Sequence, residues 1–317
     1  MQSSTILGKT DIKRNKRNSY IKKLKNYWQI YVLMLVGIIF YIVLKFVPIW
    51  GLATAFVDFN IGKGLLASKF VGLKHFTDFM TSVNFFKILR NTLAISTMDL
   101  IFSFPAPIIL SILLNEIRNE KFKRITQSII YMPHFLSWVV IAGLTFFMFS
   151  TDVGIVNKFI ASTGGQPMPF LTQQEGFWWV LLGQNIWKEI GWGTIVYLAA
   201  ISQIDQGLYE AAAIDGANRL RQILNVTIPC IVPTIIVLFL MRLGRMMDVS
   251  FEQVWMMSND MVHNVAETFE TYAFRVGVQL GNFSVGSAVG IFKSIIGLTL
   301  VVFSNYLIKK SGNEGIY

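Results

Sequence analysis

The sequence predicts an all-α membrane protein with about six transmembrane helices and both termini in the cytoplasm. Three observations predict it. Apolar residues make up 53% of the chain and charged residues only 15%, with a mean hydropathy of +0.52, far from the balance of a soluble domain. The apolar residues gather into runs of about 20, the length at which a helix crosses roughly 30 Å of hydrocarbon. The formal charge of +10 is crowded into the segments between those runs. Membrane topology therefore explains the basic balance better than nucleic-acid binding does.

Residues 1–27 form a basic cytoplasmic tail, in which Lys9, Lys13, Arg14, Lys16, Arg17, Lys22, Lys23 and Lys25 face a single acid, Asp11. Such a tail anchors on anionic lipid. The first transmembrane helix occupies 28–57, with Trp and Tyr at the ends of its Trp28 to Trp50 run as interfacial anchors. Ala53-Thr54-Ala55 resembles a cleavage site, but the run exceeds the roughly 7–15 residues of a signal-peptide core and reads as a retained span. Residues 58–90 form an extracytoplasmic loop. Residues 91–310 form the core transmembrane domain, with spans at about 91–114, 125–149, 177–200, 228–249 and 285–308, and 311–317 is a second cytoplasmic tail.

Arg118, Lys121, Lys123, Arg124, Arg219, Arg221, Lys309 and Lys310 fall on the side of the first tail. The segment 151–176 carries only Lys158, and 251–283 only Arg275. This asymmetry places both termini and the loop 201–227 inside. Lys63, Lys69, Lys74 and Lys87 lie in the 58–90 loop and oppose that orientation. The rule weighs the first helix and the span ends most, so the tail prevails. Within 251–283, Phe269, Tyr272, Ala273 and Val276 recur at i, i+3, i+4 and i+7. That pattern fits an amphipathic helix on the outer membrane surface, and equally one that packs over the mouth of the bundle. No internal repeat is visible, so an inverted-repeat transporter gains no support.

Between the spans at 177–200 and 228–249 lies Glu210-Ala211-Ala212-Ala213-Ile214-Asp215-Gly216, followed by Val226-Thr227-Ile228-Pro229. Alanine is the best helix former, and its small side chain lets another protein approach the backbone closely. Asp205 is placed to cap this helix, Gly216 supplies the left-handed conformation that stops it, and Asp215 shapes the turn. Pro229 is expected near the start of the next helix, where its missing N–H costs little.

These residues resemble the EAA motif of ABC-importer permeases: Glu-Ala-Ala, three residues, Gly, nine residues, then Ile-x-Leu-Pro. Glu210, Ala211, Ala212, Gly216 and Pro229 match it, and Val226 and Ile228 are conservative departures. The run from Tyr131 to Val140, Ile186-Trp187-Lys188 with Gly191-Trp192, Phe251 to Val254, and Phe292-Lys293-Ser294 resemble the LplB-like carbohydrate permeases. These are polysaccharide- and oligosaccharide-importing relatives of the maltose permease, and the likeness runs from about Phe70 to the C-terminus. The resemblance implies a type I ABC-importer permease architecture in a bacterial cell membrane. It implies a coupling helix, carried by Glu210, Ala211, Ala212, Asp215, Gly216 and Pro229, that docks into a separate ATPase. It further implies a second homologous permease forming a heterodimer, a cytoplasmic ATPase dimer, an extracytoplasmic solute-binding lipoprotein and a carbohydrate cargo. ATP and Mg would be bound by the ATPase, and this chain would bind no cofactor.

Polar residues inside the spans are the other candidates. A charge near the bilayer centre costs about 2.5–3.5 kcal/mol on insertion scales, so each should face protein or water. Gln184, Asn185, Trp187, Lys188 and Trp192 cluster in one span beside Glu189. Indoles with neighbouring amides and charges suit the apolar C–H faces and hydroxyl edges of sugars, but they also mark membrane interfaces, and both readings stand. Lys293 and Asp99 are lone intramembrane charges that either line the pathway or pair with another chain's charge. Arg242, Arg245 and Asp248 are expected on one helix, Arg245 and Asp248 at i, i+3 spacing, in an intrahelical or interhelical pair that holds the bundle rather than contacts the substrate. His134, after Pro133, reads as a packed, hydrogen-bonded histidine at a kink and not as a proton relay.

Gly8-Lys9-Thr10 lacks the leading glycine of a P-loop, because Ser3 stands there, so ATP hydrolysis is expected on another chain. His75, His134 and His263 lack metal-ligand spacing, and Cys230 is the only cysteine, which rules out an intrachain disulfide. No catalytic triad or carboxylate dyad stands out. Two rival functions remain open. One is an ion- or proton-coupled secondary transporter using Asp99, Lys188, Glu189 and Lys293; the other is a non-transporting scaffold whose Ala-rich helix recruits a partner.

Overall fold

The structure is a computed structural model, and it describes residues 26–310. Nearly all of the basic tail, and the segment 311–317, lie outside the described residues. The chain divides into two compact units, one ending at Thr54 and one beginning at Ala55. In the first, α1 (Trp28–Tyr41) runs on through a π turn (Ile42–Phe46) into a 3-10 stretch (Val47–Phe56) whose last two residues belong to the second. Apart from Gln29 and Lys45 the stretch is almost wholly apolar, as suits a helix surrounded by lipid.

The second unit begins with two short strands the helical reading did not anticipate. β1 (Val57–Asp58) pairs antiparallel with β2 (Lys69–Phe70). After α2 (Lys74–Met80), α3 (Phe85–Met98), a π turn (Asp99–Ser103) and α4 (Pro105–Asn115) form one 31-residue span. Pro105 takes the first position of α4, and the widened turn before it accommodates the missing N–H.

The single span expected at 125–149 is instead a bent pair. α5 (Glu120–Tyr131), capped by Asn119, passes into a 3-10 turn (Met132–Phe135), and α6 (Trp138–Phe149) then leaves at 103°. Pro133 cannot continue the ladder, and Ser137 starts a new helix by accepting a bond from the Val140 N–H. α7 (Ile155–Ser162) leads to α8 (Gln174–Ser202), a 29-residue helix. α8 approaches α5 so closely at Gly191 that a Cβ there would lie 2.2 Å from the Ile130 carbonyl oxygen.

α9 (Gln206–Ile214) precedes a 26-residue span made of α10 (Arg219–Gln222), a π turn (Ile223–Thr227) and α11 (Ile228–Gly244). Pro229 is the second residue of α11, near its start as expected. It follows a π turn inside a continuous helix that begins at Arg219, and that turn relieves the missing donor. The span also stops at Gly244, so Arg245 and Asp248 lie beyond it. Three short helices follow: α12 (Phe251–Met257), α13 (His263–Ala266) and α14 (Phe269–Phe274). The last helix is α15 (Phe283–Lys310).

By length and composition, four helices among the described residues can cross a membrane, or five if the bent pair counts as one span. α8 is long enough for another, but Gln184, Asn185, Lys188 and Glu189 interrupt its apolar run. The segment around 269–276 packs inward. Phe269 and Tyr272 are buried against Phe79, Ile88 and Val289, with Ala273 and Val276 at the edge of that cluster. A Thr268–Thr271 capping box starts α14. This is the packing helix over the bundle, not one lying on a lipid surface.

The three loops expected on one face meet there. Asn259 Nδ2 donates to the Leu171 carbonyl at 3.0 Å and Gln174 Nε2 to that of Met261 at 2.9 Å. The Phe59 N–H donates to Ser284 Oγ at 3.0 Å, and Lys87 lies 3.5 Å from the buried Glu267 carboxylate. Lys87, one of the four loop cations that opposed the expected orientation, is thus neutralised by an acid from 251–283. At the opposite ends of the helices, Ile201, Ile204 and Ile231 pack with Ile112 and Tyr209.

Candidate functional site

Two places carry chemistry: a cavity among the helices and an exposed helix at one end. The cavity, of about 520 Å³, lies between α3, α8, α15 and the segment after α11. Its size is that of a small-molecule site. Asp99, Asp248 and Glu270 line it together with Arg242, Arg245 and Lys293, three acids and three bases. The first residue of the α3–α4 π turn is Asp99, and the widened turn directs it across to Arg242, with which it forms an ion pair; Asn185 Nδ2 also donates to it. Lys293, from α15, reaches Asp248 at 2.7 Å and pairs with Glu270 as well. Neither Asp99 nor Lys293 is lone, and the partners come from this chain rather than from another. Of the two pairings expected for Arg242, Arg245 and Asp248, the interhelical one forms, Arg242 with Asp99 and Asp248 with Lys293; the intrahelical Arg245–Asp248 pair does not, because the helix that would have aligned them ends at Gly244. A second cavity of about 370 Å³ shares Glu270 and Lys293 with the first.

The aromatic and amide cluster read from α8 is divided by the structure. Asn185 faces the main cavity, as does Lys293. Gln184 is buried beside it, donating to Thr145 Oγ1 at 2.6 Å and accepting from Gln253 Nε2 at 3.1 Å. Lys188 is buried on another face, where Nζ donates to the carbonyls of His134 at 2.7 Å and Leu136 at 2.6 Å. It satisfies the carbonyls that the break after Pro133 leaves open. Trp192 stacks on the His134 ring at 4.5 Å, and His134 Nδ1 lies 3.0 Å from Glu189 Oε2. Trp187 is exposed, away from the cavity. The cavity's indole is Trp178, which sequence reasoning missed although it falls in the same helix, two turns before Asn185; its Nε1 donates to the Val265 carbonyl at 2.8 Å.

The exposed helix is α9. Asp205 caps it by accepting from the Gly207 N–H at 2.9 Å. Gly216 ends it with φ of +78°. The Ala217 N–H donates to the Ala212 carbonyl at 2.9 Å and the Gly216 N–H to that of Ala213 at 3.0 Å. Those two bonds make a complete Schellman motif. Glu210, Ala211 and Asp215 are exposed, and Ile214 has 87% of its surface open. No α9 residue is fully buried; the helix is held by Tyr209, whose Oη lies 2.9 Å from Thr227 Oγ1 in the π turn before Pro229. Sequence reasoning missed Tyr209, although it directly precedes Glu210.

Long helices around a charged cavity, with a small-faced helix exposed at one end, define a membrane transport permease. Residues 103–311 match the family described as "Binding-protein-dependent transport system inner membrane component". The chain belongs to that family, as a membrane-spanning subunit of ABC importers and not an enzyme. It is 42% identical over 299 residues to Protein LplB of Bacillus subtilis (strain 168), covering 94% of each chain. It is 43% identical over 305 residues to the polygalacturonan/rhamnogalacturonan transport system permease protein YteP of the same organism, covering 96% of this chain and 95% of YteP. A chain of a bacterial alginate ABC transporter, crystallised with an alginate pentasaccharide-bound periplasmic protein, superposes with a TM-score of 0.84. That chain is 36% identical, and the match covers 93% of this chain and 99% of that one.

Proposed function

We propose that this chain imports an oligosaccharide or a polysaccharide fragment, taking it through the cavity between α3, α8 and α15. The observation that carries this reading is the lining itself, where the Trp178 indole stands beside Asn185 and three charged pairs, surfaces suited to the C–H faces and hydroxyl edges of a sugar. The relatives named for polygalacturonan and alginate support the same cargo class.

In this reading α9 is the coupling helix. Glu210, Ala211, Ala212 and Asp215 form the face that seats in a cytoplasmic ATPase, Gly216 fixes its end, and Pro229 marks the span that it moves. The ATPase dimer binds ATP and Mg, a second homologous permease completes a heterodimer, and a solute-binding lipoprotein delivers cargo on the other side. Both termini, with the tails 1–27 and 311–317, then face the cytoplasm. The grouping of loops 58–90, 151–176 and 251–283 on the end opposite α9 supports this sidedness.

The test is uptake by proteoliposomes holding the complete assembly. ATP-dependent, binding-protein-dependent accumulation of a labelled oligosaccharide is expected. Uptake driven by an ion gradient without the ATPase would instead select a secondary transporter, and assembly without any flux would select a scaffold.

A further inference from the structure

The charges of the main cavity do not all pair. Asp99 is engaged by Arg242 and Asn185, and Asp248 and Glu270 are both engaged by Lys293. Every carboxylate in the lining therefore already faces a cation. Arg245 lines the same cavity and has no carboxylate partner among the described residues. Of the two charges three residues away on either side, Arg242 is a like charge already engaged by Asp99, and Asp248 is taken by Lys293. The turn after α11 holds its backbone in place, with the Arg245 N–H donating to the Arg242 carbonyl at 3.1 Å and the Asp248 N–H to the Arg245 carbonyl at 2.8 Å. Arg245 is exposed on the cavity lining and is open to an anion that arrives from outside the chain. The planar guanidinium fork is suited to a carboxylate, which it can grip through two parallel N–H donors.

We propose that Arg245 is a specificity-determining residue that binds the carboxylate of a uronic-acid unit, so that the cargo is an acidic oligosaccharide. Trp178, on the same lining, presents an aromatic surface to the sugar ring. This inference rests on the carbohydrate reading above and narrows it. The alginate carried by the solved relative is itself described as an acidic polysaccharide.

The experiment measures binding of a uronic-acid trisaccharide, and of its carboxyl-reduced neutral counterpart, to the permease–ATPase assembly in nanodiscs without the binding protein. The wild type should bind the acidic form about tenfold more tightly, the size of one charge-assisted contact. In Arg245→Gln the acidic-to-neutral ratio should fall close to one, and Arg245→Lys should keep part of it. The ratio is read within each variant, so a loss of folded protein does not imitate the effect. A preference that survives Arg245→Gln, or a wild type that prefers the neutral sugar, overturns the proposal and leaves the carbohydrate reading standing. A wild type that binds neither sugar sinks both.

Discussion

Asp99 and Arg242 come from helices far apart in sequence, and together they solve one problem: each is a charge where apolar surroundings would penalise it alone. Removing either leaves the other unmatched, which usually costs more than the pair contributes. Asp99→Asn and Arg242→Gln should each destabilise the purified protein, and the double variant should recover part of the loss. A double-mutant cycle on denaturation midpoints should give a coupling of about 1–2 kcal/mol, less than for a fully buried pair because Arg242 is partly open to the cavity. Strictly additive effects would show that the two do not act together. At this scale the sequence indicated which residues matter better than what they touch. Asp99, Asn185 and Lys293 were all legible as unusual polar residues in apolar runs. Their partners were not, because pairing depends on which faces of separate helices meet, and periodicity within one helix carries no such information.

The elements most legible in advance were those set by local chemistry. Asp205 caps α9 and Gly216 ends it, since a capping carboxylate and a left-handed glycine act over a few residues. The 103° break after Pro133 was legible only as a kink; its angle is held by Lys188, 54 and 52 residues from the carbonyls it binds. The π turns beyond the first span, at Asp99–Ser103, Ile223–Thr227 and Arg275–Gln279, were not foreseen, although the first two come just before Pro105 and Pro229. Pro229 does lie near the start of α11 as expected, but the widened turn before it lets the span run back without a break to Arg219.

The α9 stop makes a specific prediction. At φ of +78°, a β-branched side chain is strained by about 1–2 kcal/mol, whereas asparagine tolerates the conformation better. Gly216→Val should insert into the membrane normally yet lose co-purification of the ATPase, and Gly216→Asn should retain most of it. Equal retention by the two variants would mean that the shape of this turn does not set docking.

At the scale of the whole molecule, the apolar runs and the basic asymmetry foretold an all-helical membrane chain, and the family match over residues 103–311 agrees. The runs did not reveal how 251–283 folds over the bundle, because its amphipathic pattern fits lipid and protein neighbours equally well. They also hid the cavity, which is assembled from both ends of the chain's second unit. What unites the parts is mechanical. Tyr209 ties α9 to the π turn of the Arg219–Gly244 span, and Arg242 at the far end of that span closes on Asp99 in the cavity wall. Force applied to α9 thus has a continuous helix, 26 residues long, through which to reach the site.

The most direct measurement of that claim places one thiol on α9. With Cys230→Ser removing the native cysteine, Ala212→Cys in the complete assembly should form a cross-link to the ATPase and stay unlabelled by a membrane-impermeant reagent added outside right-side-out vesicles. Labelling from outside, or an intact assembly in which position 212 cross-links to no ATPase, would contradict the account.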